Sequence, residues 1–452
     1  MKGWLTETKR KRRLGSTATL LLSFLVIILV GAVLLCMPFS SNSGEFTNPL
    51  DALFTSVSAT CVTGLVVFNT AVHWSLVGQI VILVLIQVGG IGVMTMAVFL
   101  LIAVRRLTPK ERIMITQSYN LPTFDNTSDL LRKIALGTFL IEAAGAGVLY
   151  TQFSKMDLPT GEKIWRSVFT SVSAFCNAGF DLMGETGMSY FADNVVVNLT
   201  MIILIVTGGL GFIVWSDLWG CAVRRRKPAV YTKLVLICAG ILLLSGTVAF
   251  SLAEWNNEGT IGALSPFKKI MGALFHSASL RTAGFAMFDN ACLTPVSRVL
   301  SDLFMFIGGA SGSTAGGVKT VTVAILLWSV FSIAFGNSEP TIFKRRIPKD
   351  AIIRSSSVII MQGLVAILGI IVINAVTDFS MEQIIYEVIS AISTVGNSMG
   401  ITPALPAAAK VVIIFLMYFG RVGILSITCA VMESLRKSAA NISYPEANLL
   451  IG

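Results

Sequence analysis

Two closely similar phrases, FTSVSATCVTGL at residues 54–65 and FTSVSAFCNAGF at residues 169–180, decide how this chain is organised. Related phrases follow at residues 274–285, LFHSASLRTAGF, and at residues 387–400, EVISAISTVGNSMG. In each phrase a run of apolar and small residues, long enough for a short helix, leads into a glycine, which helix interiors disfavour by roughly 1 kcal/mol. A pattern that recurs in this way predicts four copies of one structural unit.

The composition is that of an integral membrane protein. Of the 452 residues, 54% are hydrophobic and 13% are charged, and the mean hydropathy is +0.79. Soluble domains carry about 25% charged residues, and roughly 20 apolar residues suffice to cross a bilayer. Eight membrane-spanning helices are predicted, at residues 18–40, 75–104, 131–153, 193–222, 233–254, 297–333, 355–378 and 408–435.

Basic residues are concentrated at alternate ends of these predicted spans. The N-terminal segment 1–17 is basic, the loops after the second, fourth and sixth spans carry RR, RRRK and KRR, and the C-terminal tail 436–452 begins with Arg and Lys. The positive-inside rule therefore predicts that both termini and these loops are cytoplasmic. The net charge of +10 is explained by this topology, and no nucleic-acid partner is expected.

The four repeated phrases fall between consecutive spans, all on the predicted outer side, and end near Gly64, Gly179, Gly284 and Gly396. Non-helical backbone at membrane depth is tolerated only where protein or water covers it, so four such loops indicate a shared polar axis. Glycine permits backbone angles that turn peptide carbonyls toward that axis, where they replace the water around a cation. Because no acidic residue occupies these glycine positions, a monovalent cation is favoured, and potassium fits best.

The phrases ATCVTGL, SAFCNAGFD, RTAGF and STVGNS resemble the four filter sequences of the Trk/Ktr superfamily of potassium transporters. The Ktr-type membrane subunit is favoured, because Trk-type members have two additional N-terminal helices. The resemblance implies an all-α integral membrane fold of four pseudo-symmetric helix–pore loop–helix repeats, with eight crossings and four re-entrant pore helices around one central pore. The filter carbonyls that it implies are those of Val62, Thr63, Gly64, Asn177, Ala178, Gly179, Thr282, Ala283, Gly284, Thr394, Val395, Gly396 and Asn397.

The resemblance also implies the partners of the protein. Members form homodimers with one pore per subunit in the bacterial inner membrane, and a separate cytosolic ring binds adenine nucleotides and regulates them. We therefore expect potassium as the substrate and no cofactor in this chain, and we leave activation by sodium open. The chain has two histidines and seven cysteines, and their spacing is not that of metal ligands, so no metal centre is expected. No combination of acid, histidine and nucleophile that would predict an enzyme is found in the sequence.

The sixth predicted span is interrupted by FIGGASGSTAGGVKT at residues 306–320. The phosphate-binding pattern GxxxxGK[ST] is absent, so a broken helix that lines a cavity is the better interpretation. In the resembled family the matching segment obstructs the pore and moves on activation, which implies a gate over Gly309–Lys319. A competing interpretation is a sodium-coupled symporter with an alternating-access site at this break. The glycines of the segment are Gly308, Gly309, Gly312, Gly316 and Gly317.

Two cationic residues, Lys319 and Arg421, lie within predicted spans. Arg421 follows the start of its span by about 20 Å at 1.5 Å per residue, and a cation at that depth costs at least about 3 kcal/mol, so it is expected to face protein or water. The resemblance places it below the filter as part of the gate, where it either limits ion residence by repulsion or tethers the loop; the alternative is an ion pair that holds two helices. Lys319 is either a gate latch or a side chain that reaches the cytoplasm.

Several further polar residues carry weaker expectations. Glu142 is expected to make a helix-packing hydrogen bond rather than to bind a coupling ion. Cys61 and Cys176 flank filter loops and are expected to be within reach of a thiol reagent. Three acids either concentrate cations at the outer mouth or are simply solvated: Asp51, Asp289 and Asp302.

The predicted organisation follows from these observations. It comprises the basic N-terminus 1–17, repeat 1 at 18–104, repeat 2 at 131–222, repeat 3 at 233–333 with its gating loop at 306–320, repeat 4 at 355–435, and the tail 436–452.

Overall fold

A computed structural model describes residues 16–92, 127–336 and 339–423. The basic N-terminus, the end of the second predicted span, the end of the eighth and the C-terminal tail lie outside these residues. The described residues are mostly α-helical, and their strands are limited to one antiparallel pair, β1 (Thr341–Ile342) and β2 (Arg345–Arg346).

The helices follow one order four times: a long helix, a short helix and a second apolar helix. The first set is α1 (Ser16–Cys36), α2 (Pro49–Thr60) and α4 (Leu76–Ile91), with one turn of helix, α3 (Thr70–His73), between the last two. The second set is α5 (Thr127–Phe153), α6 (Thr160–Cys176), α7 (Val195–Leu210) and α8 (Phe212–Arg224). The third is α9 (Val230–Glu254), α10 (Pro266–Ser279), α11 (Pro295–Phe306) and α12 (Thr320–Ala334), and the fourth is α13 (Lys349–Val376), α14 (Met381–Ile392) and α15 (Ala407–Val422).

Helix packing closes the four sets into a ring. Each short helix packs against the long helix that precedes it, α2 on α1, α6 on α5, α10 on α9 and α14 on α13. The second helix of each set also packs against the short helix of the next set, α4 on α6, α7 on α10 and α11 on α14. The last of these contacts, α15 on α2, joins the fourth set to the first. The short helices therefore lie inside and the long helices outside.

The short helices begin at clear local signals. Asn48 caps α2 by accepting a hydrogen bond from the amide of Leu50, and Pro49 occupies the first helical position. Ser380 and Gln383 form a reciprocal capping box at the start of α14. At 1.5 Å per residue, α2 and α14 are about 18 Å long, whereas the hydrocarbon core of a bilayer is about 30 Å thick. Neither helix can cross a membrane alone.

The fourth predicted span, residues 193–222, is not one straight helix, which corrects the sequence prediction. It bends by 96° between α7 and α8. Gly211, at the bend, has the positive φ of 90° that helices exclude, and the amide of Phe212 donates to the carbonyl of Gly312 instead of an intrahelical acceptor. Helix α4 likewise ends at Gly92 and α15 at Gly423, with φ values of 93° and 86°.

Three described helices are long and apolar enough to cross a membrane: residues Ile134–Phe153, Val230–Glu254 and Lys349–Val376. The bent pair α7 and α8 gives a fourth candidate, and shorter apolar helices are found at Leu21–Cys36, Leu76–Ile91 and Thr320–Ala334. Large apolar side chains on the outer helices are exposed, as at Leu140 (69%) and Leu252 (77%). An apolar exterior of this kind is what lipid requires.

Candidate functional site: a ring of four loops and a glycine-rich segment

The four glycines that end the repeated phrases meet in space. A Cβ atom added to any of them would lie close to the Cα atom of the next glycine. The distances from added Cβ to neighbouring Cα are 2.9 Å (Gly64 to Gly179), 3.1 Å (Gly179 to Gly284), 3.1 Å (Gly284 to Gly396) and 3.0 Å (Gly396 to Gly64). The series returns to its starting residue. These four residues, the glycine ring, therefore form a closed cycle that only glycine fits.

Carbonyl oxygens surround this ring. The Cβ added at Gly64 would lie 2.6 Å from the Ala178 oxygen, and the one added at Gly179 would lie 3.0 Å from the Ala283 oxygen. Additions at Gly284 and Gly396 would meet the carbonyl oxygens of Val395 and Thr63. Among the residues that the structure describes, no hydrogen bond to these four oxygens is found. They are available to a cation.

All four loops adopt the same unusual backbone conformation. The residue two positions before each glycine has a positive φ: 55° at Val62, 57° at Asn177, 67° at Thr282 and 51° at Thr394. Non-glycine residues rarely adopt this conformation, least of all β-branched ones, and each instance costs of order 1–3 kcal/mol. Asparagine tolerates this conformation at Asn177, but the other three residues are β-branched, so their strain indicates a backbone shape that packing maintains.

Serines at the ends of the short helices hold this shape. The amide of the residue before each glycine donates to the carbonyl of such a serine, from Thr63 to Ser58 at 2.8 Å and from Val395 to Ser390 at 2.8 Å. The corresponding pairs in the other two loops are Ala178 to Ser173 (2.8 Å) and Ala283 to Ser279 (2.9 Å). The hydroxyls of Ser58 and Ser390 also accept from the glycine amides six residues later. The repeated serine in the sequence thus shapes the loop.

A second set of glycines, not identified from the sequence, packs behind the loops. A Cβ added to Gly89, Gly208 or Gly420 would overlap the carbonyl oxygen at the end of the short helix in the same set: Thr60, Phe175 or Ile392. Each of these glycines stands three residues before the glycine at which its helix ends or bends. This recurring G-x-x-G spacing in the second helices was visible in the sequence.

Residues 307–319, between α11 and α12, form the glycine-rich segment, which is bonded to the second set of helices. The amide of Ala310 donates to the carbonyl of Gly209 at 3.0 Å, and that of Thr314 to Gly208 at 3.3 Å. The Thr314 hydroxyl donates to the carbonyl of Phe175 at 3.2 Å. On its other side, the Tyr231 hydroxyl donates to the carbonyl of Ser311.

The same segment lies against the fourth loop of the ring. A Cβ at Gly316 would overlap the side chain of Thr394, and one at Gly317 would lie 3.1 Å from the carbonyl oxygen of Ser393. The ammonium of Lys319 turns back into its own segment and donates to the carbonyl of Ala315 at 2.7 Å. Lys319 is predicted from the sequence to be either a gate latch or a side chain that reaches the cytoplasm. The structure shows its ammonium bonded within its own segment.

Arg421 connects the segment to two sets of helices. Its Nη1 donates to the carbonyl of Thr314, and its Nη2 donates to the carbonyls of Gly89 and, at 3.4 Å, Gly90. Arg421 occupies the position that Gly90 and Gly209 hold in the corresponding helices, next to the packing glycine. A cation that bonds to backbone carbonyls in place of water can remain at membrane depth.

Other residues singled out in the sequence occupy different environments. Asn397 follows the ring, is 2% exposed, and has an amide group without a hydrogen-bond partner in the described residues. Cys61 and Cys176 are fully buried, so the expectation that a thiol reagent reaches them is wrong in this conformation. Glu142 accepts two hydrogen bonds from the Gln87 amide, at 3.0 and 3.1 Å, as expected of a helix-packing residue.

The three acidic residues occupy different environments. Asp51 is buried at the start of α2 and pairs with Lys410 of α15 at 2.7 Å, so it holds the first and fourth sets together. Asp289 is exposed but caps a short turn by accepting from the amide of Ala291. Asp302 is half-buried on α11.

This geometry defines a class of protein: a helical membrane protein whose short helices and loops surround a ring of backbone carbonyls. Residues 4–441 match the TrkH family, described as "Cation transport protein". The chain is 36% identical to the potassium/sodium uptake protein NtpJ of Enterococcus hirae, over 99% of this chain and 100% of that protein. It is 36% identical to the Ktr system potassium uptake protein B of Bacillus subtilis, over 96% of each, and 35% identical to that of Vibrio alginolyticus, over 99% of this chain and 98% of the relative.

The fold is also similar to the crystal structure of the potassium transporter TrkH from Vibrio parahaemolyticus. The TM-score is 0.73 with 18% sequence identity, over 94% of this chain and 86% of that one. The chain therefore belongs to the TrkH cation transport family, as a Ktr-type membrane subunit. The family predicted from the four filter phrases is confirmed, and its relatives are transporters rather than enzymes.

Proposed function

We propose that this protein takes up potassium across the membrane through the glycine ring. The observation that supports this most directly is the closed contact of Gly64, Gly179, Gly284 and Gly396, each beside a carbonyl oxygen of the neighbouring loop. Such a ring can replace the hydration shell of a monovalent cation. The relatives named as potassium uptake proteins support the choice of ion.

The short helices favour a cation at the same place. Helices α2, α6, α10 and α14 all end a few residues before the ring, so their C-termini approach it. A helix C-terminus carries about half a negative elementary charge. With no carboxylate among the ring residues themselves, this diffuse negative potential suits a monovalent ion.

The glycine-rich segment is proposed as the gate. It is bonded to the second set through Thr314 and Ala310, packs on the fourth loop at Gly316, and is held by Arg421. Its backbone lacks helical hydrogen bonds, so release of these few contacts frees it to move. Gly309–Lys319 is the part expected to obstruct and then open the path.

The wider architecture is proposed from the repeated sequence phrases, the distribution of basic residues and the Ktr resemblance. It consists of four repeats with eight crossings and re-entrant short helices, both termini in the cytoplasm, and a bacterial inner membrane location. The proposed assembly is a homodimer that a cytosolic ring regulates by binding adenine nucleotides, as the Ktr resemblance implies. A role for sodium is proposed because one relative is named a potassium/sodium uptake protein. Sodium-coupled alternating access is the second candidate mechanism, and uptake that requires a sodium gradient would favour it.

A matched pair of glycine substitutions tests the ring. Gly396 and Gly400 both have a positive φ, 97° and 86°, so alanine costs each roughly 1–2 kcal/mol of backbone strain. Only at Gly396 would the new Cβ strike the carbonyl of Thr63; at Gly400 nothing lies within 4 Å. We expect Gly396→Ala to lower uptake of rubidium relative to sodium in proteoliposomes, and Gly400→Ala to preserve the ratio.

Both variants are first compared by size-exclusion chromatography in detergent, so that only folded protein is assayed. An unchanged ion preference in folded Gly396→Ala would contradict the ring as the selectivity filter. Absence of potassium or rubidium uptake by the wild-type protein, with and without sodium, would contradict the proposed function itself.

A further inference from the structure

Helix α8 has the features of a helix that lies in the membrane surface. It leaves α7 at 96°, so if α7 crosses the bilayer, α8 runs nearly parallel to its plane. It carries Trp215 and Trp219, and Trp219 is 70% exposed. Interfacial helices typically combine tryptophan with basic residues at the level of the lipid headgroups. Here the basic residues follow at once, in the RRRK sequence at 224–227.

An apolar cavity of about 650 Å³ lies between α8 and the first half of α5. Its volume falls in the range of roughly 300–1,000 Å³ that ligand pockets occupy. Most of its lining is apolar, including Ile134, Leu140, Phe175, Trp215 and Trp219. Leu140 is 69% exposed and Trp219 is 70% exposed, so the cavity is open toward the outside of the helices. On the exterior of a membrane protein, such an opening faces lipid chains.

Positive charge lies at one edge of this cavity. Arg226 belongs to its lining, and Arg225 and Lys227 beside it are exposed. Asp217 pairs with Arg226 at 2.8 Å and also accepts from the amide of Ala229 and the hydroxyl of Thr232. The carboxylate thereby fixes the basic turn against α8. The Arg226 side chain remains 54% exposed, which leaves guanidinium donors at the cavity edge.

We propose that this cavity binds one anionic phospholipid of the leaflet that the positive-inside rule assigns to the cytoplasm. An acyl chain fills the apolar space between α5 and α8, and the phosphate contacts Arg226 with Arg225 and Lys227. Basic residues next to a membrane-embedded apolar surface recognise anionic headgroups in this way. A free phosphate would satisfy the cations but leave the apolar volume empty, so the lipid is the ligand that matches both halves of the site.

The cavity is also adjacent to the contacts that hold the glycine-rich segment. Phe175 lines it, stacks edge-on against Trp215 with ring centroids 6.4 Å apart, and accepts the hydroxyl of Thr314 through its carbonyl. Phe212, another lining residue, donates its amide to Gly312. A bound acyl chain would therefore stabilise the side chains on which the segment rests. An effect of the bound lipid on transport would follow only if the segment is the gate, so this effect, unlike the lipid binding, rests on the proposed function.

Two glycines of α5 provide the test. Gly137 lines the cavity and Gly147 does not, and at both positions an added Cβ has nothing within 4 Å. Gly137→Leu should fill the cavity without disturbing the helix, and Gly147→Leu is the matched control. Native mass spectrometry of protein purified from vesicles of phosphatidylcholine and phosphatidylglycerol counts the lipids retained. We expect wild-type protein and Gly147→Leu to retain one phosphatidylglycerol more per protomer than Gly137→Leu.

A charge variant identifies the headgroup contribution. Arg225→Gln, Arg226→Gln and Lys227→Gln together should abolish the preference for phosphatidylglycerol over phosphatidylcholine, and excess inorganic phosphate should not displace the lipid. Equal lipid retention by wild type and Gly137→Leu, or equal retention of the two lipids by wild type, overturns the proposal. So does a charge variant that keeps the wild-type preference for phosphatidylglycerol. Lipid binding without any change in rubidium flux would leave the site intact and refute only its link to gating.

Discussion

Arg421→Gln is the substitution that most directly tests the gate. Arg421 donates hydrogen bonds to Thr314 in the glycine-rich segment and to Gly89 in α4. The bond to Gly89 involves no part of the segment, whereas the bond to Thr314 holds the segment to α15. If the segment moves as proposed, its displacement breaks the bond from Arg421 to Thr314. The change in flux on losing the bond to Thr314 therefore measures how much Arg421 stabilises the closed state.

The size of the effect follows from that one bond. A hydrogen bond from a charged donor contributes about 1.5–3 kcal/mol. Since 1.4 kcal/mol corresponds to a factor of ten, Arg421→Gln should raise the open-to-closed ratio by roughly 10- to 150-fold. Thr314→Val removes only the neutral hydrogen bond from the Thr314 hydroxyl to Phe175. Such a bond contributes about 0.5–1.5 kcal/mol, so this variant should raise the open-to-closed ratio by roughly 2- to 13-fold.

The assay is rubidium influx into proteoliposomes loaded with potassium, without any cytosolic partner. We expect influx to increase in the order wild type, Thr314→Val, Arg421→Gln, while rubidium-to-sodium preference stays constant because the glycine ring is untouched. Thermal unfolding in detergent confirms that each variant is folded. If folded Arg421→Gln carries the same flux as wild type, or less, the assignment of the segment as a gate closed by Arg421 is refuted.

Three further substitutions test the packing around the site. Asp51→Asn leaves the Lys410 ammonium of the buried pair without its counter-charge and should cost about 3 kcal/mol of stability. Asp193 forms an exposed pair with Lys268 at 2.9 Å, so Asp193→Asn should cost under about 1 kcal/mol; thermal unfolding compares the two variants, and equal losses would contradict the buried-pair argument. Burial lowers the pKa of His73, against the opposing influence of Asp51, so the folded state binds fewer protons there, and stability should fall as pH drops below about 6.5, the ordinary value; His73→Gln should flatten that dependence, and an unchanged slope would refute it. Glu142→Leu leaves the half-buried Gln87 amide without its acceptor and should cost about 1–3 kcal/mol, with Glu142→Gln milder; the reverse order in thermal unfolding would show that the carboxylate is not the acceptor that matters.

The sequence predicted most of what local chemistry encodes. The long apolar runs, the short helical phrases between them and the glycines after these phrases are properties of neighbouring residues, so they can be recognised in the chain. The interruption at residues 306–320 was also readable, because five glycines in an apolar span cannot continue a helix. The family followed from the same phrases.

The bend at Gly211 was missed for a physical reason. Its flanking residues are as apolar as those of a straight span, and the amide freed at Phe212 is accepted by Gly312, about a hundred residues away in the chain. The burial of Cys61, Cys176 and Asp51 likewise depends on helices that pack from other sets. Hydropathy predicts whether a segment as a whole is buried in a membrane. It does not predict which of its side chains a distant helix will cover.

By itself the sequence determined that this chain enters a membrane, that it repeats a short helix and a glycine loop four times, and which family it belongs to. Only the tertiary structure decided that Gly64, Gly179, Gly284 and Gly396 close into one ring and that Arg421 bonds to the glycine-rich segment. The atoms that make these contacts are backbone carbonyls, which every residue possesses. Their identity leaves no mark in the side chains, so their roles become visible only when the folded chain brings them together.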